Sequence, residues 1–396
     1  MTPPGIPIVS RAADVPDFDL TDAELRLAGC TKWSYVDADV IPAWVAELDV
    51  RPCPAVAEAL HLAVDRGALG YPPPDNRTGL PEATADFLAD SFGWRVDPER
   101  VVIVGDVMAG VLLVLTTLCE PAPVVVPIPS YPPFLEVVPL SGRELVTVPC
   151  TTDGDRPVLD LERIDAALAD GARTVLLATP HNPLGRVFAA GEVAGLDRIV
   201  ARRGARVISD EIHSSLVLPG ARHLPYATGE GTAEHTTTLV AASKAWNLPG
   251  AKCAQIIAGT PADLARLRAV PHLANHATST LGIAATIAAY RDGGPWLAGL
   301  IEHLDAMRAL FGRLLAERLP AVRWTPMEAT YLAWLDASGT GVERPAQAAL
   351  ERGRVMVQPG PRFGPGYADH VRVNIGTSAE RLRRIVDRLA RAWAPG

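Results

Sequence analysis

The stretch TTTLVAASKAWNLPG (236–250) decides the fold, because it joins a short apolar run to a polar end that carries Ser243 and Lys244. Lysine occurs only at positions 32, 244 and 252, and every other positively charged side chain among the 37 Lys and Arg residues is an arginine. A GC-rich genome accounts for that scarcity, so a retained lysine is more informative than usual. The stretch predicts a strand that ends in a functional lysine.

Four earlier runs of the same kind precede it, with amphipathic helical patterns between them: VVIVGD (101–106), APVVVPIPSY (122–131), ARTVLLATP (172–180) and ARVISD (205–210). This alternation is typical of an α/β fold with a central, mostly parallel sheet flanked by helices. After residue 285 a long helical stretch leads to shorter apolar runs. We therefore predict a large α/β domain over 50–285 and a smaller α+β domain formed by 1–49 and 286–396.

Composition excludes several classes of protein. A net charge of -8 argues against broad binding to nucleic acid or to an anionic membrane. The five cysteines form no C-x-x-C pair, which disfavours a metal site and fits a reduced, cytoplasmic setting. The N-terminus lacks the pattern of a signal peptide, and no apolar run approaches the roughly 18 residues of a membrane span. We expect a cytoplasmic protein that binds neither membrane nor nucleic acid.

Polar residues follow the central runs where each run stops, notably Asn182, Asp210 and Lys244. In open parallel sheets, ligands bind at the carboxyl ends of the strands, so these distant residues are expected to meet there. A lysine beside a buried carboxylate can be a structural ion pair. The alternative is an amine that condenses with the aldehyde of pyridoxal 5'-phosphate (PLP).

PLP chemistry needs a Schiff-base lysine, an acid at the pyridine nitrogen, a donor to the phenolic oxygen and an anion cradle. Lys244 is the candidate for the first role, Asp210 for the second and Asn182 for the third. Tyr131, in PSYPPF, is placed to stack on the ring. The stretch GDVMAG (105–110) lies between a strand and a helix, where backbone amides bind phosphate. The candidates for the cradle are Val107, Met108, Ser243 and Lys252.

Four motifs in order, N-P-L-G (182–185), S-D-E-I-H (209–213), S-K-A-W-N-L-P-G (243–250) and V-R-V-N (371–374), resemble the fold type I PLP enzymes of aminotransferase class I/II. The resemblance runs across nearly the whole chain. The segment KWSYVDADVIPAWVAELDV (32–50) is similar to the entry segment of the cystathionine β-lyase-like branch, the MalY/PatB type of C–S lyase. That branch has aspartate and methionine where this chain has Glu47 and Leu48.

The resemblance implies that Lys244 is both Schiff base and general acid/base, and that Arg372 clamps the substrate α-carboxylate, a task suited to guanidinium. It places His213 near the phenolic oxygen and Lys252 where an arginine often contacts the phosphate. It also implies that Tyr71 reaches the cofactor phosphate of a neighbouring subunit in a homodimer with shared active sites. Trp44 either forms a wall of the substrate pocket or packs in the core.

The same lysine, aspartate and arginine serve both β-elimination and transamination. On the resemblance of the entry segment, we predict a C–S β-lyase that converts cystathionine or another cysteine S-conjugate to a thiol, pyruvate and ammonia. The alternatives are an aminotransferase for a small or aromatic amino acid and a specialised-metabolism enzyme for a large cysteine thioconjugate. A PLP-binding regulatory protein and a dinucleotide dehydrogenase are disfavoured, the second because no G-x-G-x-x-G follows the first strand.

Overall fold

The computed structural model describes residues 15–394, which form thirteen α-helices and fifteen β-strands. The helices are α1 Asp22–Leu27, α2 Thr31–Ser34, α3 Pro54–Asp65, α4 Leu80–Phe92, α5 Val107–Thr117, α6 Pro132–Leu140, α7 Leu161–Ala169, α8 Ala190–Arg203, α9 Pro261–Arg268, α10 Thr280–Asp292, α11 Gly294–Arg318, α12 Pro345–Glu351 and α13 Ala379–Ala392. The strands are β1 Ile41–Pro42, β2 Val101–Val104, β3 Val124–Ile128, β4 Leu145–Pro149, β5 Thr151–Asp153, β6 Arg156–Val158, β7 Thr174–Ala178, β8 Arg206–Asp210, β9 Thr236–Val240, β10 Ala254–Ala258, β11 Arg323–Trp324, β12 Leu332–Asp336, β13 Val355–Met356, β14 Gln358–Pro359 and β15 His370–Asn374.

The large sheet has seven strands in the order β2-β10-β9-β8-β7-β3-β4. Its neighbours from β9 to β4 pair in parallel, and β10 alone runs antiparallel, to both β2 and β9. The five predicted apolar runs correspond to β2, β3, β7, β8 and β9, so the predicted mostly parallel α/β sheet is confirmed. Because β7, β8 and β9 are adjacent and parallel, the residues that follow them lie side by side at one edge.

Helices cover both faces of this sheet, as the alternation of side chains along each strand requires. Val124 and Val126 of β3 face a core shared with α5 and α6, whereas Val125 between them faces a core shared with α7 and α8. All five residues of β3 are buried. A parallel sheet that is covered on both faces needs such continuous apolar strands.

The smaller sheet is antiparallel, in the order β11-β12-β15-β14. The helix α13 packs against apolar residues of this sheet through one stripe that includes Leu382, Val386 and Leu389. The entry segment is joined to this part of the chain, because β1 pairs in parallel with β13 and aligns Ile41 with Val355. The division into two domains stays a prediction, and residues 1–14 of the predicted small domain lie outside the described residues.

Over residues 15–394 no helix has both the length and the apolar character needed to cross a membrane. The same part of the chain contains no group of three or more histidine, cysteine, aspartate or glutamate side chains arranged to hold a metal ion.

Candidate active site

A cavity lies at the carboxyl ends of the central strands. Nine residues predicted from the sequence line it: Val107, Met108, Tyr131, Asn182, Asp210, His213, Ser243, Lys244 and Lys252. They come from five separate stretches of the chain and meet because each follows a strand of one sheet. The individual role of each residue remains a prediction, since their convergence does not by itself assign it.

Asp210 ends β8 with its carboxyl group buried. One oxygen accepts a hydrogen bond of 3.0 Å from the backbone amide of Ile212. Burial raises the pKa of Asp210 from 3.8 to about 7, and the neighbouring Glu211 charge adds to this, whereas the Ile212 amide and Lys244 oppose it. Within residues 15–394 no Lys, Arg or His forms an ion pair with Asp210. A cation placed beside this carboxyl group would stabilise its charged form, so the site fits a protonated pyridine nitrogen.

Lys244 lies four residues beyond the end of β9, and its Nζ donates to the backbone carbonyl of Ala46 at 3.3 Å. Burial lowers the pKa of Lys244 from 10.5 to about 8, helped by the positive charge of Arg372 and opposed by Glu47 and Asp210. An amine whose pKa is near neutrality exists partly in the unprotonated form, which is the nucleophilic form. Lys244 therefore has the properties required of a lysine that condenses with an aldehyde.

Arg372 belongs to β15 of the small sheet, but its side chain contacts Asn182, which follows β7 of the large sheet. Its Nη1 donates to Oδ1 of Asn182 at 2.9 Å, and its Nη2 donates to the carbonyl of Trp44 at 2.9 Å. The guanidinium is buried, its Nε has no hydrogen-bond partner, and it lies 5.0 Å from the ring centroid of Phe363. Burial lowers the pKa of Arg372 to about 10. The side chain thus stays charged at neutral pH with an unused donor.

Two ring side chains complete the walls of the cavity. Tyr131 precedes α6 and packs edge-on against Phe134 at 5.8 Å, and burial raises its pKa. His213 is buried and its Nδ1 has no partner. Burial, together with the positive charges of Lys244 and Arg372, lowers the pKa of His213 to about 3. Its imidazole is therefore neutral at physiological pH, with one nitrogen that donates and one that accepts.

Three predicted residues lie outside this lining: Arg372, whose contacts are given above, Trp44 and Tyr71. The Trp44 ring packs against Tyr35 at 5.2 Å, and its indole nitrogen donates to the carbonyl of Lys32 at 3.4 Å. Tyr71 is 97% exposed, so its side chain is available to another molecule but makes little contact within its own chain. The substrate role of Trp44 and the intersubunit role of Tyr71 stay predictions.

The sequence interpretation missed the residues that hold the entry segment over the cavity. Asn374 donates to the carbonyls of both Val45 and Glu47 at 2.7 Å. The Tyr331 hydroxyl donates to the carbonyl of Ala46 at 3.1 Å. Asn374 lies within the V-R-V-N motif, two residues after Arg372. Its position near a predicted substrate-binding arginine could have marked it as a site residue. These bonds fix the backbone that Lys244 and Arg372 also contact.

The third lysine of the chain, Lys32, is structural. It is buried, and its Nζ lies 2.9 Å from Oδ1 of Asp49. The same oxygen of Asp49 accepts from the indole nitrogen of Trp33 at 2.7 Å. Breaking a buried pair of this kind leaves an uncompensated charge, so this position requires a positively charged side chain.

Asp210→Asn is expected to stabilise the cofactor-free protein at neutral pH. Because folding raises the pKa of Asp210 to about 7, the folded state favours the protonated acid, and the contribution of Asp210 to wild-type stability falls as pH rises from about 4 to about 7. Asparagine has no charge to bury. The free energy of unfolding of the variant should therefore rise relative to that of wild type across this pH range, by up to about 4 kcal/mol above pH 7. Urea unfolding of both cofactor-free proteins at several pH values measures this, and a pH-independent difference would contradict it.

The chain is similar to known proteins over most of its length. Residues 45–389 match the family described as aminotransferase class I and II. The cystathionine beta-lyase of Corynebacterium glutamicum is 36% identical over 93% of this chain and 97% of its own, and the cystathionine beta-lyase PatB of Bacillus subtilis is 33% identical over 87% and 90%. The structure of a PLP-bound C–S lyase from Staphylococcus hominis, complexed with the inhibitor L-cycloserine, has a TM-score of 0.85, 25% identity and 91% coverage of each chain. The chain belongs to the aminotransferase class I and II family.

Proposed function

We propose that this chain is a PLP-dependent C–S β-lyase that cleaves the Cβ–S bond of cystathionine or another cysteine S-conjugate to a thiol, pyruvate and ammonia. The observation that carries the proposal is the convergence of Lys244, Asp210 and Asn182 on one cavity, with Arg372 hydrogen-bonded to Asn182. The curated relatives named cystathionine β-lyase select elimination from the reactions that such a site supports.

Different residues of the cavity would hold different parts of the cofactor. The residues that would hold it are Lys244 at the aldehyde carbon, Asp210 at the ring nitrogen, Asn182 and His213 at the phenolic oxygen, Tyr131 over the ring, and Val107, Met108, Ser243 and Lys252 at the phosphate. When bound, PLP supplies a ring that withdraws electrons from the substrate Cα. The positive ring nitrogen would lower the raised pKa of Asp210 and keep the carboxylate charged, since opposite charges stabilise each other.

The chain's own groups then position the substrate and move its proton. Arg372, charged at neutral pH, holds the α-carboxylate and so fixes the Cα relative to Lys244. The Lys244 amine, with its pKa near 8, accepts the Cα proton. Loss of that proton allows the Cβ–S bond to break, with the electron pair leaving on sulfur. The thiolate takes up a proton, and water hydrolyses the remaining three-carbon fragment to pyruvate and ammonia.

The test is an assay of the holoenzyme with L-cystathionine or an S-alkyl cysteine and no keto acid. Equal amounts of thiol, pyruvate and ammonia should accumulate over many turnovers. L-Alanine is the matched control, because it offers the same Cα proton but no leaving group at Cβ, and it should give no pyruvate. An aminotransferase would instead stop after one turnover and resume only when a keto acid is added, which would refute the proposal.

We also propose a homodimer in which Tyr71 serves the neighbouring active site. Leu69 and Tyr71 are both exposed, and the segment that carries them is held to the start of α10 by a hydrogen bond of 3.0 Å from the Thr280 hydroxyl to the carbonyl of Ala68. Large exposed apolar side chains that lie close together are typical of an interface. Light scattering should give twice the 42.0 kDa chain mass. A monomer that keeps full activity would contradict the shared site.

We infer a cytoplasmic location as well. Cys30, Cys119, Cys150 and Cys253 are thiols in the fold, not disulfides. Disulfide bonds persist in oxidising compartments and are rare in the cytosol, so the thiols favour a reducing environment.

A further inference from the structure

An ion pair lies at the start of α5, at the end of the cavity assigned to the phosphate. Asp106 caps the helix, with Oδ1 accepting from the backbone amide of Ala109 at 2.8 Å. Its Oδ2 accepts from Nζ of Lys252 at 2.8 Å. Both residues line the cavity beside Val107 and Met108. The phosphate end of the cavity therefore contains one negative and one positive side chain.

The fold holds this pair in place from both sides. Lys252 has a φ of +52°, a left-handed conformation that is uncommon for a residue other than glycine, and its carbonyl accepts from the amide of Ser279 at 3.1 Å. On the other side, a Cβ atom at Gly105 would lie 3.1 Å from the carbonyl oxygen of Ala277, so the loop before α5 packs tightly. The side chains of Lys252 and Asp106 are 56% and 41% exposed, which leaves them within reach of a ligand.

Asp106 competes with a phosphate for the same donors. A carboxylate at a helix N-terminus is stabilised by the helix dipole and the free amides, as a phosphate is. Burial raises the pKa of Asp106, but hydrogen bonds from Lys252 and the amides of Ala109 and Met108 outweigh burial and lower it. The carboxylate is therefore ionised at neutral pH. It offsets the charge of Lys252 and accepts from the Ala109 amide, in the first turn of the helix whose amides are predicted to bind the phosphate.

We propose that Asp106 determines how tightly this chain holds the phosphate of PLP, by neutralising Lys252 and occupying donors at the start of α5. The inference rests on the proposed function, because it takes the phosphate to be that of PLP. A bound phosphate dianion meets side chains whose charges cancel, so the cofactor is held less tightly than the lysine alone would hold it. Asp106 is thus an affinity-determining residue that acts on the cofactor without taking part in the reaction.

Three variants test the effect of each charge on PLP binding separately. Asp106→Asn removes the negative charge but keeps the helix cap, since asparagine caps as well as aspartate. Lys252→Gln removes the positive charge, and the double variant removes both. Each cofactor-free protein is titrated with PLP while tryptophan fluorescence is followed. Pyridoxal, which lacks the phosphate, is the matched ligand.

We expect Asp106→Asn to bind PLP about tenfold more tightly than wild type and Lys252→Gln about tenfold more weakly, as partly screened charges allow. The double variant should lie within about threefold of wild type, because the two side chains together present no net charge to the phosphate in either protein. All four proteins should bind pyridoxal equally. An Asp106→Asn protein that binds PLP no more tightly than wild type, or that gains equally with pyridoxal, would overturn the inference. Wild-type protein that binds no PLP would instead overturn the proposed function, and PLP binding without thiol release would refute the lyase alone.

Discussion

Lys244→Ala is expected to lose the yellow colour of the holoenzyme and to lower the rate of thiol release by about 10³-fold or more. Two functions fail together in this variant. The amine that bonds to the cofactor is gone, and so is the group with a pKa near 8 that takes the Cα proton. The visible spectrum and the initial rate of pyruvate formation measure the two losses separately.

The matched control is Lys252→Arg, which alters a lysine of the same cavity but keeps its charge. It should retain the visible band and most of the activity, because arginine serves a phosphate at least as well as lysine does. If Lys244→Ala kept the spectrum and turnover of wild type, the assignment of the lysine would be wrong.

Arg372→Leu is expected to lower kcat/KM for a cysteine thioether by about 10²- to 10³-fold, since truncating one partner of a buried, charged hydrogen-bonded pair is costly. The substrate carboxylate would then face an uncharged side chain in a buried site. Comparing each substrate with its α-carboxamide isolates the effect. Wild type should strongly prefer the carboxylate, and the variant should lose that preference.

The cofactor spectrum serves as the control for this variant, because Arg372 is assigned to the substrate carboxylate and is linked to the cofactor only indirectly, through Asn182. An intact visible band would show that the site has folded. An unchanged ratio of carboxylate to carboxamide activity in Arg372→Leu would place the α-carboxylate elsewhere.

Five strands of the large sheet were predictable because their apolar runs end in polar residues, as β8 does in Asp210 and β9 in Ser243 and Lys244. The strand β10 carries no such marker. It runs antiparallel to its neighbours, so its carboxyl end, which Gly259 follows, lies at the edge away from the cavity. Two of the seven strands, β4 and β10, were not predicted, and this geometry accounts for β10.

Contacts between distant parts of the chain were less predictable. The helix cap at Asp106 depends on neighbouring residues and is predictable from the local sequence. Its ion pair with Lys252 joins residues 146 positions apart, which meet only when the sheet has folded. The bond from Arg372 to Asn182 spans 190 residues, and only the resemblance to a known family gave Arg372 a role in advance. The pairing of β1 with β13 likewise depends on tertiary packing, which local propensity does not determine.

The central claim is that one lysine, placed beyond the end of β9, holds the cofactor. A hydride reducing agent such as borohydride converts the C=N bond between lysine and cofactor to a stable secondary amine, and peptide mass spectrometry then locates it. The chain offers three lysines, at 32, 244 and 252, so the result is unambiguous. We expect the added mass on Lys244 alone, with Lys32 buried against Asp49 and Lys252 unmodified. The added mass on Lys32 or Lys252, or on none of the three, would contradict this expectation.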